Sequence, residues 1–149
     1  MKITSEIRHC TAMTDDALWE TTKTLAQGER RELARFLIRL AEIKRRDLHI
    51  VRAYPGLYHY LLSLGLSEWD ARARALSAAA AMKYGSIYAL VASGRLTLSA
   101  LSIVVPYLTP ENYRLLLRKA CRRSTRELKV LVAGLAPQAP RRDVLRVVS

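Results

Sequence analysis

An all-α domain is the fold class this sequence predicts, and three observations point to it. Long stretches rich in Ala, Leu and Arg are interrupted by only six Gly and five Pro. Apolar residues recur mostly at three- and four-residue steps, as at Leu33, Phe36, Leu37, Leu40, Ile43 and Leu48, which collects them into one stripe along a helix. Strand signals are nearly absent, since the β-branched cluster Ile103-Val104-Val105 runs straight into Pro106. At 149 residues, half of them hydrophobic and 26% charged, the chain has the size and composition of one domain with a real core.

Taken in order, residues 1–13 show little pattern and read as a loose leader, ahead of a helical domain over 14–136. Thr14-Asp15-Asp16 starts a helix, with a capping hydroxyl and two acids facing the dipole, and Gln27-Gly28 is expected to end it. A second, long helix is expected from Glu29 to about Val51, with Arg31, Arg35, Arg39, Arg45, Arg46 and Arg52 mostly off its apolar stripe. Glu42 stands four residues before Arg46, so part of this charge is paired within the helix.

Tyr54-Pro55-Gly56 predicts a turn and Leu57–Leu64 a short helix, stopped by Gly65 in a left-handed C-cap. Ser67 caps the next helix with Asp70 three residues on. Its alanines (Ala71, Ala73, Ala75, Ala78 to Ala81) allow a neighbour to approach closely. After Gly85, Ile87–Ala92 predicts another short helix ended by Ser93-Gly94. Thr97 or Ser99 opens the next, which Pro106 closes. Thr109-Pro110-Glu111 is a start signal for a helix from Pro110 to Cys121 that buries Tyr113, Leu116, Leu117 and Ala120. Ser124 and Glu127 form a capping box for a last helix with Leu128, Leu131, Val132 and Leu135 on its core side. Gly134, Pro137 and Pro140 break it, and 137–149 reads as a basic tail or the start of a linker. Seven or eight helices are expected in all.

The net charge is +12, from 25 basic and 13 acidic residues, and its distribution matters more than its size. Residues 1–28 carry three basic residues against four acidic, 29–52 eight against four, 68–95 four against two, and 114–146 ten against two. Most of the excess therefore sits in the last third of the chain. Gathered on one side of a fold, it makes a field that recruits polyanions.

The segment 57–83 has the layout of a helix-turn-helix, in which Leu61, Leu64, Leu66 and Ala71 would hold two helices at a fixed angle across Gly65. In such motifs the first turns of the second helix reach base edges in the major groove. Here those turns carry Glu68, Trp69, Arg72, Ala73 and Arg74, and both arginines are expected to point outward. An ordinary αα-corner uses the same glycine and cap. Arg45, Arg46, Arg52, Lys83, Arg114, Arg118, Arg122 and Arg123 complete the candidate DNA-binding set; Arg114, Arg118 and Arg122 step by four along one helix edge, suited to phosphates.

Several strings in fixed order also carry a family resemblance: Tyr54-Pro-Gly-Leu-Tyr-His-Tyr, Leu64-Gly-Leu-Ser-Glu, Ser93-Gly-Arg-Leu-Thr-Leu-Ser-Ala-Leu, Pro106-Tyr-Leu-Thr-Pro-Glu-Asn and Ser124-Thr-Arg-Glu-Leu. Over roughly residues 14–137 the chain resembles the helical N-terminal region of bacterial HNH endonuclease-type proteins. The middle section is more distantly similar to the DNA-binding helices of ParB-type partition proteins. The resemblance implies a DNA-associated role here, with nuclease chemistry in a separate C-terminal module. An HNH site needs a compact His/Asn/His set, and His9, His49, His59 and Asn112 are scattered. Where an aromatic-Arg-Arg run is common in the family, this chain has Arg72-Ala73-Arg74.

No other constellation points to catalysis. His49 and His59 fall in no ligand motif, and Cys121 sits among Lys119, Arg122 and Arg123 but lacks a base, so it reads as a small buried residue. Neither a Gly-rich phosphate loop nor a carboxylate pair occurs, and the seven tyrosines read mainly as packing residues. The expectation is thus a non-enzyme, with no metal and no cofactor, whose partner is double-stranded DNA and which allows a homodimer. The alternative is a helical interaction or oligomerisation module with a basic face. Two distant cysteines, charged residues from Lys2 onward and apolar runs well short of a ~20-residue span lead to an expected cytoplasmic, nucleoid-associated location without membrane contact.

Overall fold

In the computed structural model, which describes residues 2–135, the chain is all-α. Nine α-helices follow one another there: α1 (Ile3–Thr11), α2 (Asp15–Arg45), α3 (Leu48–Val51), α4 (Leu57–Ser63), α5 (Glu68–Lys83), α6 (Ser86–Ala92), α7 (Leu98–Val104), α8 (Tyr113–Ala120) and α9 (Thr125–Val132), with a 3₁₀ turn over Val105–Tyr107. The expected tail, 137–149, lies outside the described residues.

Local chemistry places most of these boundaries. The hydroxyls of Thr14, Ser67, Thr97 and Ser124 each accept a backbone N–H three residues ahead, at 3.1–3.2 Å. At α9 the Glu127 carboxylate returns the bond to the Ser124 N–H at 3.1 Å, closing the capping box. Gly65 and Gly94 end α4 and α6 with φ of 91° and 79°, values that favour a residue without Cβ.

Four expectations need correction. Residues 3–11 of the leader form a helix. Gly28 does not end a helix: α2 runs unbroken for 31 residues, because a mid-helix glycine costs only about 1 kcal/mol against alanine and good helix formers flank it. The same helix stops at Arg45 rather than Val51, where Asp47 takes a left-handed φ of 54° before the single turn of α3. Finally, α8 begins three residues after Pro110. Asn112 accepts the Thr109 N–H at 2.8 Å and donates to the Tyr107 carbonyl at 3.0 Å, while the Thr109 hydroxyl accepts the Asn112 N–H. This clasp makes 109–112 a turn of its own.

The centre of the domain is α5. It packs against α2, α4 and α7 and touches α6, and its alanines 71, 73, 78, 80 and 81 are buried, which lets the backbones draw close. Leu37, Leu61, Ile87, Leu96, Leu101, Leu117 and Leu128 fill the space around it, each almost fully buried. On the far side α7 packs on α9 and α8, and Tyr84 stacks on Tyr113 with centroids 4.6 Å apart. All seven tyrosines are half-buried, in keeping with packing roles, whereas Leu135 is exposed and does not join the core side of α9.

One buried group works against this packing. Ser77 is fully buried and its hydroxyl has no hydrogen-bond partner, a cost of about 1–3 kcal/mol for a neutral polar group. Ser77→Ala is therefore expected to raise the unfolding free energy by about 0.5–1 kcal/mol in urea melts, since alanine also favours the helix. A loss of stability would mean that the hydroxyl finds a partner after all.

Candidate nucleic-acid interface

The candidate cations divide into two groups by what already neutralises them. Arg45 and Arg46 close on one carboxylate: Arg45 Nη2 and Arg46 Nε each lie 2.6 Å from Glu42 Oε2. Hydrogen bonds from the two guanidiniums hold the Glu42 carboxyl down at about 2, below its usual 4.5. Its contribution to stability is complete above the ordinary carboxylate range and is lost as pH falls towards 2. Arg52 stands exposed just after α3 and Lys83 at the last residue of α5.

By contrast, no carboxylate among the described residues pairs with Arg114, Arg118 or Arg122. Arg114 and Arg118 are exposed on α8, Arg114 Nε donating to the Tyr113 hydroxyl at 3.1 Å. Arg122 follows in a left-handed conformation, φ 60°, and its N–H donates to the Arg95 carbonyl at 2.9 Å. That bond ties the turn after α8 to the turn before α7 and brings Arg95 beside Arg122; both are exposed, as are Arg118 and Lys119 at the end of α8. Arg123 is half committed: it reaches the Lys119 carbonyl and lies 3.9 Å from Glu127. The Glu127 carboxyl is itself lowered, chiefly by its bonds from Ser124 and only lastly by Arg123.

Arg95 was not among the expected site residues, because its partner lies 27 positions away. The local signal was Gly94, whose positive φ turns the chain sharply and whose Cα is capped by Arg30 of α2; a Cβ there would meet the Arg30 guanidinium at 2.7 Å.

The pair α4–α5 spans the expected 57–83, with Gly65 in its turn. Its two arginines behave differently. Arg72 is exposed, its guanidinium 5.7 Å from the Tyr58 ring centroid. Arg74, expected to point outward, turns inward instead: it lies 5.0 Å over Phe36 of α2, 4.0 Å from Asp70, with Nε buried and without a hydrogen-bond partner. The cause is the company on α5. Ala73 is also buried, so the interior-facing arc is wider than one stripe, and Arg74 falls at its edge where Phe36 offers a ring face.

Among the described residues, no three His, Cys, Asp or Glu side chains gather where they could hold a metal ion. His49 is buried with an unpartnered Nδ1, as is that of His59. Cys121 is half-buried, its thiol donating to the Leu117 carbonyl. No described helix is long and apolar enough to cross a membrane. Compared with known proteins, the chain matches no family model, no curated protein and no solved structure.

Proposed function

We propose that the domain binds double-stranded DNA mainly through its phosphates, along the face formed by α8, the turn after it and the Gly94–Arg95 turn. The observation that carries this reading is the backbone bond between Arg122 and Arg95, which brings two distant segments together, each with an exposed arginine that no described carboxylate pairs. Unpaired arginines offer their charge to phosphate without first giving up a carboxylate. The resemblance to the helical region of HNH endonuclease-type proteins agrees with it, and no nuclease chemistry is assigned to residues 1–149.

Arg45 and Arg46 have a smaller part in this reading, since any phosphate must compete with Glu42. Arg72, exposed on the first turns of α5, is the residue placed to touch a base edge. Arg74 has no contact role here.

The test is fluorescence anisotropy with a labelled duplex over a salt series. If about six phosphates are contacted, affinity is expected to fall by roughly 10³ between 50 and 200 mM salt. Absence of binding at low salt, with the helical content intact, would remove the DNA reading.

A further inference from the structure

The apolar stripe of α2 does not stop where the body of the protein does. From residue 33 onward the stripe Leu33, Leu37, Leu40 faces the interior. Continued towards the N-terminus at the same three- and four-residue steps, it is crossed by Glu29 and then passes through Ala26, Thr22 and Trp19. There nothing covers it: Trp19 is 76% exposed, and Leu18 and Leu25 beside it are 44% and 67% exposed. The whole of α1 and the first nineteen residues of α2 contain no buried residue, and Ile3 and Ile7, one turn apart on α1, are exposed as well.

We infer that this arm is the contact between two copies of the chain, paired antiparallel along the first half of α2. Charge selects a second copy as the occupant. Residues 1–28 carry three basic against four acidic residues within a chain of net charge +12; two copies repel through the rest of their surfaces and do not through this one. The arm offers five large apolar side chains, each between 44% and 76% exposed, to an interface that in its standard form takes ~800 Å² from each partner.

The sequence of the arm also fixes direction. A two-fold axis near Thr22 sets the large Trp19 of one copy against the small Ala26 of the other, and Trp19 against Ala26 again on the opposite side of the axis. Along one edge Asp16, Lys23 and Arg30 follow at seven-residue steps, so an antiparallel partner brings its Asp16 towards Arg30 at both ends and leaves one Lys23 pair near the axis, whereas a parallel one sets all three against their like. The dimer does not rest on the DNA reading.

Sedimentation of the full chain from about 1 to 100 μM tests it. The expected result is a monomer–dimer equilibrium that Trp19→Glu and Leu25→Glu each shift at least tenfold towards monomer, with helical circular dichroism lowered by no more than the fraying of the arm, because both side chains are exposed. In a Trp69→Phe background, Trp19 emission is expected to move to shorter wavelength as dimer forms. With Cys10 and Cys121 replaced by serine, Thr22→Cys is expected to cross-link the dimer on oxidation and Ala12→Cys is not. A chain that stays monomeric over this range, a dimer indifferent to both glutamates, or a Trp19 shift seen only on adding anionic lipid vesicles would overturn the proposal.

Discussion

Replacing Arg95, Arg118 and Arg122 together by alanine is expected to lower affinity for duplex DNA about a hundredfold at 100 mM salt. Each lost guanidinium–phosphate contact contributes about 1 kcal/mol by this reckoning, and each should flatten the slope of log K against log salt by about 1. The loss should be the same for unrelated duplex sequences, because phosphates are common to all of them. Arg72→Ala is the informative comparison. If the first turn of α5 enters a groove, that change costs ~1–3 kcal/mol on preferred sequences and little elsewhere. Should the triple variant bind as well as the parent while Arg72→Ala abolishes binding, the interface is α4–α5 and the C-terminal basic face is only a solvated surface.

In the interior, Leu101→Ala is expected to cost about 2–5 kcal/mol, a large part of the 5–15 kcal/mol that holds a domain of this size together. Leu101 is fully buried on α7, the helix that joins α5 to α8 and α9. Val130→Ala, at a position 73% exposed on α9, serves as the control and should stay within about 0.5 kcal/mol. Urea midpoints for the two variants decide the matter; a Leu101 effect no larger than the control's would place the centre of the core elsewhere.

How much of this was legible in the sequence follows from the range of the interactions involved. Caps are local, so the starts at Thr14, Ser67, Thr97 and Ser124, and the stop at Gly65, could be read from residues three or four apart. Gly28 misled because its cost is small beside the cooperativity of a helix that continues on both sides. Pro110 misled for a different reason: the Thr109–Asn112 clasp competes with the first helical turn, and three polar groups satisfied together outweigh a favourable φ. The helix at 3–11 has no side-chain cap, leaving only the Ile3–Ile7 spacing to announce it.

The candidate site was less legible than the fold. Arg114 and Arg118 could be found from their spacing on one helix edge, whereas Arg122, expected on the same edge, lies past the end of α8 in a left-handed conformation. Arg95 could not, since only tertiary structure brings its carbonyl to the Arg122 N–H. Arg74 failed for a related reason. Whether an arginine on an alanine-rich helix points to water or folds over a ring depends on Phe36, which belongs to another helix.

Helix α2 is continuous in geometry but divided in what holds it. From Leu33 on its residues are packed against the core, and Arg30 reaches Gly94, while the outer turns before Leu25 have no such support, with Gly28 weakening the join between the two parts. In a bare monomer the outer turns would fray and re-form far more often than the protein unfolds, since their opening free energy is a fraction of the global one. Whatever covers the arm therefore does more than attach: it draws about two dozen residues into the cooperative unit and turns a fraying end into a rigid strut.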